Sequence, residues 1–265
     1  MHLFTLPGST MSALEIIGLI AASMAAGAIN AVAGGGTLLT FPTLLFFNTP
    51  PVVANATSTF ALLIGTAGSV FGYRRHLHIV KPWLWRFVPV SILGGLIGGV
   101  LLTRTSDEMF SRLVPFLILF ATIVFLAQGF FRRLARFDAT SGEYRAIAAA
   151  ILFQFGVAIY GGYFGAGIGI LMLASLGFIG LHDIHEMNTL KTVLASLINF
   201  VAALWFIIAG LVHWPKASVM TIGAIAGYYL GSHYSQRIPQ RRVRQVITII
   251  GFIISAVTFY DEFFR

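Results

Sequence analysis

Apolar residues in this chain come in long uninterrupted runs. From Ile16 to Tyr73 there is no Asp, Glu, Lys, Arg or His, and a second such run extends from Ala146 to Leu181. Each far exceeds the roughly 18 apolar residues that suffice for a bilayer-spanning helix. Glycine, proline and asparagine clusters and short polar loops cut the chain into ten apolar segments, at about residues 12–33, 36–47, 51–73, 82–102 and 108–130, then 145–165, 168–180, 186–209, 215–235 and 242–260. The predicted class is an all-α polytopic membrane protein, because a barrel would show short alternating segments. The first run lacks a basic n-region and is followed by many more, so it is read as a retained span rather than a secretory signal.

The segments repeat. Displaced by 133 residues and without a gap, the chain pairs Gly34 with Gly167, Gly36 with Gly169, Asn55 with Asn188, Thr59 with Thr192, Pro82 with Pro215, Gly94 with Gly227 and Gly98 with Gly231. Residues 1–131 and 146–265 are therefore expected to be two homologous membrane repeats of five segments each, joined by a cytoplasmic linker, 132–145. Arg74, Arg75 and Lys81, the arginines of the linker, and Arg237, Arg241, Arg242 and Arg244 all fall on one side if every segment crosses, in keeping with the positive-inside rule. An odd number of crossings per repeat inverts the second against the first and places both termini outside. Segment 36–47, about 18 Å long as helix, is too short for roughly 30 Å of hydrocarbon, so it is expected to begin at a break within the membrane or end in a wet vestibule.

Composition narrows the function classes. Hydrophobic residues make up 57% and charged residues 10% of the 265, which excludes an ordinary soluble domain. The net charge of +8 resides in short loops, where it marks topology, so nucleic acid is not expected as a partner. There is no cysteine, and neither His76 with His78 nor His182 with His185 has convincing ligand spacing. No metal and no cofactor are expected. No nucleophile or metallohydrolase motif is present either, so an enzyme is not expected.

The candidate chemistry lies at the glycine clusters. Gly34, Gly35 and Gly36 destroy helix beyond what packing requires, and Thr37 follows as a cap or a ligand hydroxyl. A short helix starting there aims its first N–H groups and positive dipole end at an anion inside the membrane. Gly165, Gly167 and Gly169 offer a second such start. Asn30 and the stretches Asn55, Thr57, Ser58, Thr59 and Asn188, Thr189, Lys191, Thr192 add amide, hydroxyl and ammonium groups suited to an oxyanion. Asn55 and Asn188 have an alternative use, capping their helices or bonding a neighbour's backbone. Lys191, a cation inside an apolar segment, is a substrate ligand or snorkels to the interface beside Glu186. Gly94, Gly95, Gly98, Gly99, Gly227 and Gly231 fit close helix packing better. Glu15 lies too near a helix start to weigh much as a proton carrier.

With "AGGGTLLTFP" and "PPVVANATSTFALLIGTAGSVFGYRRH" in the first half and "GYFGAGIGI", "HEMNTLKTVLASLINFVAALWFIIAGLVHWP" and "GAIAGYYLGS" in the second, the chain resembles the TauE/SafE (TSUP) family of sulfite and sulfonate exporters over nearly its whole length. The second motif departs from the first, with Ile168 where the first has Gly35 and Ala174 or Ser175 where it has Pro42. The resemblance implies a secondary transporter that exports sulfite or an organic sulfonate across the bacterial inner membrane by alternating access. Import of the same anion class and an anion channel stay open as alternatives. The partners expected are a small anionic substrate and membrane lipid, with a homodimer left open.

Overall fold

The computed structural model describes residues 11–32, 35–72, 77–127, 144–178, 184–234 and 240–264. Within them the chain is helical, as its composition requires. The elements are α1 (Ala13–Val32), α2 (Thr37–Phe46), α3 (Pro51–Gly72), α4 (Leu77–Arg104), α5 (Asp107–Leu126), α6 (Tyr144–Tyr163), α7 (Ile168–Phe178), α8 (Ile184–Ile208), α9 (Trp214–Tyr234) and α10 (Gln240–Phe263). Among the described residues, α1, α4, α5, α8 and α10 are each long and apolar enough to cross a membrane, and shorter apolar helices cover Thr37–Phe46, Pro51–Thr66 and Ile147–Tyr163. Large apolar side chains such as Ile17, Leu93, Ile222 and Ile253 point outward. In water that surface would be a costly patch; against acyl chains it is the ordinary exterior.

Small residues decide which helices meet. Lipid tails are as apolar as leucine, so close backbone approach has to supply the association. Gly223, Gly227 and Gly231 of α9 lie in step against Ile20, Met24 and Ala28 of α1; a methyl added at Gly231 would come within 2.6 Å of Ala28 Cα. Gly94 and Gly98 of α4 approach the α6 backbone at Phe155, Ile159 and Tyr163 in the same manner. Both pairs run parallel. The packing expected of Gly94, Gly98, Gly227 and Gly231 is thus what the structure shows.

The pairings survive exchange of the two sets of five helices. α1 packs on α9 as α6 packs on α4, α3 on α9 as α8 on α4, α2 on α10 as α7 on α5, while α3 meets α8 and α5 meets α10. One compensating exchange shows the steric logic: Ile198 of α8 packs on Gly95 of α4, whereas the positions 133 residues away carry Gly65 on α3 and Tyr228 on α9, with bulk and vacancy swapped. This pattern is compatible with an inverted repeat.

Chain direction follows from the contacts. α2 runs back along α1, since Gly36 lies against Ala26 while the Phe47 ring beyond the other end of α2 lies against Gly18. Lys216 of α9 reaches Glu15 of α1 and the Phe47 carbonyl, so the starts of α1 and α9 share one end of the molecule with the end of α2. Asp107 accepts the Val52 N–H at 2.9 Å and brings the starts of α3 and α5 to the same end. The helix ends flanking 73–76, 128–143 and 235–239 therefore face the other way, although Arg74, Arg75, Arg237 and the linker up to residue 143 lie outside the described residues.

Candidate functional site

Both glycine clusters interrupt the helices. α1 ends at Val32 and α2 begins at Thr37; α6 ends at Tyr163 and α7 begins at Ile168. Gly34 lies outside the described residues. Gly35 has φ +97°, a region that L side chains rarely adopt, and any side chain there would also run into the Phe125 ring. Gly36 caps α2 at φ −56° with no side-chain cap bond, so Thr37 is the first helical residue and does not take the capping role, one of the two uses expected of it.

The groups freed by the first break find local partners. Asn30 Oδ1 accepts the Gly36 N–H at 2.6 Å, and the Gly35 and Gly36 carbonyls accept the Leu38 and Leu39 N–H groups at 3.1 and 2.9 Å. Thr40 Oγ1 lies 3.3 Å from the Gly36 carbonyl and 2.6 Å from Ser58 Oγ. Asn30, Gly35, Gly36 and Ser58 are thus brought together. The Asn30 oxygen occupies the place before α2 where an anion would be held.

At the second break Gly165 and Gly167 have φ +82° and +79°. The Tyr160 hydroxyl donates to the freed Ala166 carbonyl at 2.8 Å, and Asn55 Nδ2 donates to the Tyr163 carbonyl at 2.8 Å. Asn55 thereby takes the backbone-bonding alternative, yet its Oδ1 is buried with no hydrogen-bond partner among the described residues. The Lys191 stem lies along Gly169, where a methyl would sit 3.4 Å from Cδ, and its ammonium donates to Asn188 Oδ1 at 3.2 Å. Position 191 is the partner of Ser58 under the 133-residue displacement, so one break is flanked by a hydroxyl pair and the other by a cation.

One ring joins the two breaks. Phe125 is fully buried; its edge meets Gly35 from one side, and a methyl on Gly167 would lie 3.6 Å from its Cε2. The remaining expected residues are less central. Thr57 Oγ1 accepts the His213 N–H at 3.0 Å and so holds the connection between α8 and α9, while Thr59 bonds back to the Asn55 carbonyl at 2.9 Å. Thr189 is buried and Thr192 half-buried on α8.

A second polar cluster was not anticipated. Lys216 Nζ lies 2.7 Å from Glu15 Oε1 and donates to the Phe47 carbonyl and Thr49 Oγ1 at 3.0 Å each, with side-chain exposures of only 10% for Lys216 and 16% for Glu15. Glu15 therefore acts as the counter-ion of a buried ammonium, and that ammonium satisfies the end of α2. The one signal in the sequence was a lysine after Pro215 where the first repeat has Trp83. His213 stands nearby and accepts the Lys216 N–H at 3.4 Å through Nδ1. Burial first, then the Lys216 charge, push its pKa below the usual imidazole value, against its own backbone hydrogen bond and Glu15.

A cavity of about 430 Å³ opens between α2, α5 and α10, with Pro42, Phe46, Val114 and Ile253 among its apolar lining and Asp261 and Glu262 at its edge. Its carboxylates oppose an anion. Among the described residues no group of three or more His, Asp or Glu side chains could hold a metal ion.

The sequence model of the family described as "Sulfite exporter TauE/SafE" matches residues 19–258. Relatives include a probable membrane transporter protein of Haemophilus influenzae, 26% identical over 92% of this chain and 94% of its own length. The probable membrane transporter protein YfcA of Escherichia coli K12 is 25% identical over 91% of this chain and 88% of its own. YunE of Bacillus subtilis, also named a probable membrane transporter protein, is 23% identical over 95% and 98%. No solved structure matches.

Proposed function

The chain belongs to the sulfite exporter TauE/SafE family of membrane transporters, and from that premise we propose that it exports a small oxyanion, sulfite or an organic sulfonate, across the bacterial inner membrane. The observation that carries this reading is the meeting of both helix breaks on one edge of Phe125, with Lys191 at the start of the second half-helix. Two half-helix starts and one ammonium make a region that favours negative charge without a metal or a cofactor. Lys191 is half-buried within an apolar helix, a setting in which a cation is a functional candidate by default.

In this reading the substrate displaces the Asn30 oxygen from Gly36 and the Phe125 ring moves aside, so that the site opens to one face at a time. Residues 1–131 and 146–265, products of a tandem duplication, contribute one break each to the site. The substrate undergoes no chemical change. Export of one negative charge from a cell that is negative inside gains about 2.3 kcal/mol per 100 mV, enough to drive efflux without a coupling ion.

Detergent-purified protein should bind at least one of sulfite, thiosulfate, sulfoacetate and taurine in preference to short carboxylates, and Lys191→Ala should weaken that binding far more than Arg242→Ala. Proteoliposomes with a substrate gradient imposed each way then show direction. Sustained flux only inward would establish an importer, single-channel currents a channel, and equal effects of the two substitutions would remove Lys191 from the site.

A further inference from the structure

Tyr228 was not among the residues expected at the site. The residue is 8% exposed on α9, and its ring is wedged against Gly65 of α3, where no side chain could fit beside it. Its hydroxyl is buried and finds no hydrogen-bond partner among the described residues. Its backbone lies against Gly27, one turn before Asn30 on α1, and the Asn30 amide, whose oxygen takes the Gly36 N–H at 2.6 Å ahead of α2, is the polar group beside the hydroxyl without meeting hydrogen-bond geometry. A buried donor left unsatisfied is a net cost to the fold, and tyrosine normally buries its ring with the hydroxyl paired. Phenylalanine would pack on Gly65 equally well. The position paired with Tyr228 in the first repeat is Gly95, so only one of the two breaks carries this hydroxyl.

We propose that Tyr228 is a substrate ligand: its hydroxyl and the Gly36 N–H together take one oxygen of the anion at the first break. This rests on the reading of the breaks as the anion site and adds to it a specific, uncharged donor. Lys191 supplies the charge at the second break; Tyr228 supplies direction at the first. When the substrate arrives, the Asn30 amide turns its oxygen away from Gly36, and the Tyr228 hydroxyl gains the acceptor that it lacks in the empty protein.

The test is Tyr228→Phe in the full-length protein in detergent, with sulfite and taurine as probes and Lys191→Ala in parallel. We expect Tyr228→Phe to weaken binding of the preferred probe about tenfold or more, as for loss of a hydrogen bond to a charged group, while the thermal unfolding midpoint without substrate stays level or rises. A hydroxyl with a structural partner would instead lower that midpoint, and such a fall overturns the proposal. Unchanged binding in Tyr228→Phe together with weakened binding in Lys191→Ala overturns it alone and leaves the site standing. If the wild-type protein binds neither probe, or neither substitution changes binding, the reading of the site falls and this proposal with it.

Discussion

Gly36 and Gly169 are partners under the repeat displacement, yet the structure gives the same substitution opposite consequences at the two positions. At Gly36 the φ of −56° suits alanine, so the obstacle is space alone: the added methyl would lie 2.6 Å from the Ala26 carbonyl oxygen and 2.8 Å from Asn30 Nδ2. The first is α1 backbone, which cannot rotate out of the way, so α1 and α2 must part. Overpacking of this kind costs about 1–3 kcal/mol, and losing the Asn30 to Gly36 bond adds about 1 kcal/mol. At Gly169 the nearest atoms are Cδ, Cγ and Cε of Lys191 at 3.4–3.9 Å, which is ordinary contact with a flexible stem. Alanine within a helix is favoured over glycine by about 0.5–1 kcal/mol. Thermal unfolding of the detergent-solubilised protein, followed by tryptophan fluorescence, should therefore show Gly36→Ala lowered by roughly 5–15 °C and Gly169→Ala unchanged or raised by a few degrees, on the scaling for chains of this size. Equal shifts in the two variants, or a raised midpoint for Gly36→Ala, would refute the close approach of α2 to α1 and the asymmetry drawn from it.

Lys216→Met should destabilise the protein by about 3–5 kcal/mol in thermal or denaturant unfolding, because it leaves Glu15 buried without its counter-ion; Glu15→Gln in the same chain should restore part of the loss, and strictly additive effects would count against the pair. His213 has its pKa lowered by burial and by Lys216, so the fold favours the neutral ring. Its contribution is intact above the unfolded value of about 6.5 and is lost as pH falls from there through the folded value. His213→Gln should flatten the decline in unfolding midpoint between about pH 7 and pH 5, and an unchanged slope would show that the decline has another origin. A reporter fused after Arg265 should be active only on the outer face, since α10 runs antiparallel to α5, with Gly251 on Thr122 and Phe263 on Phe116, and so ends where α5 and α1 start; a cytoplasmic signal would contradict the expected topology.

Much of the architecture was legible along the chain. Segment 36–47 became α2 at Thr37–Phe46, segment 168–180 became α7 at Ile168–Phe178, and both breaks fell where the glycines cluster. Such features depend on apolar length and on the local cost of glycine in a helix, quantities that a linear sequence carries in full. The packing role of Gly227 and Gly231 was readable for the same reason, since small residues at intervals of four line one helix face.

What the fold alone decided were the partners. Nothing near residue 125 says that Phe125 lies on Gly35 and Gly167, and nothing near Lys216 says that it meets Glu15, about two hundred positions earlier. Nothing near Thr57 says that its hydroxyl accepts the His213 N–H. Helix formation is governed by neighbours within a turn or two, so sequence determines where helices begin, break and end. Which side chain meets which depends on how helices are rotated and crossed against one another, and that is settled by the simultaneous fit of all their faces.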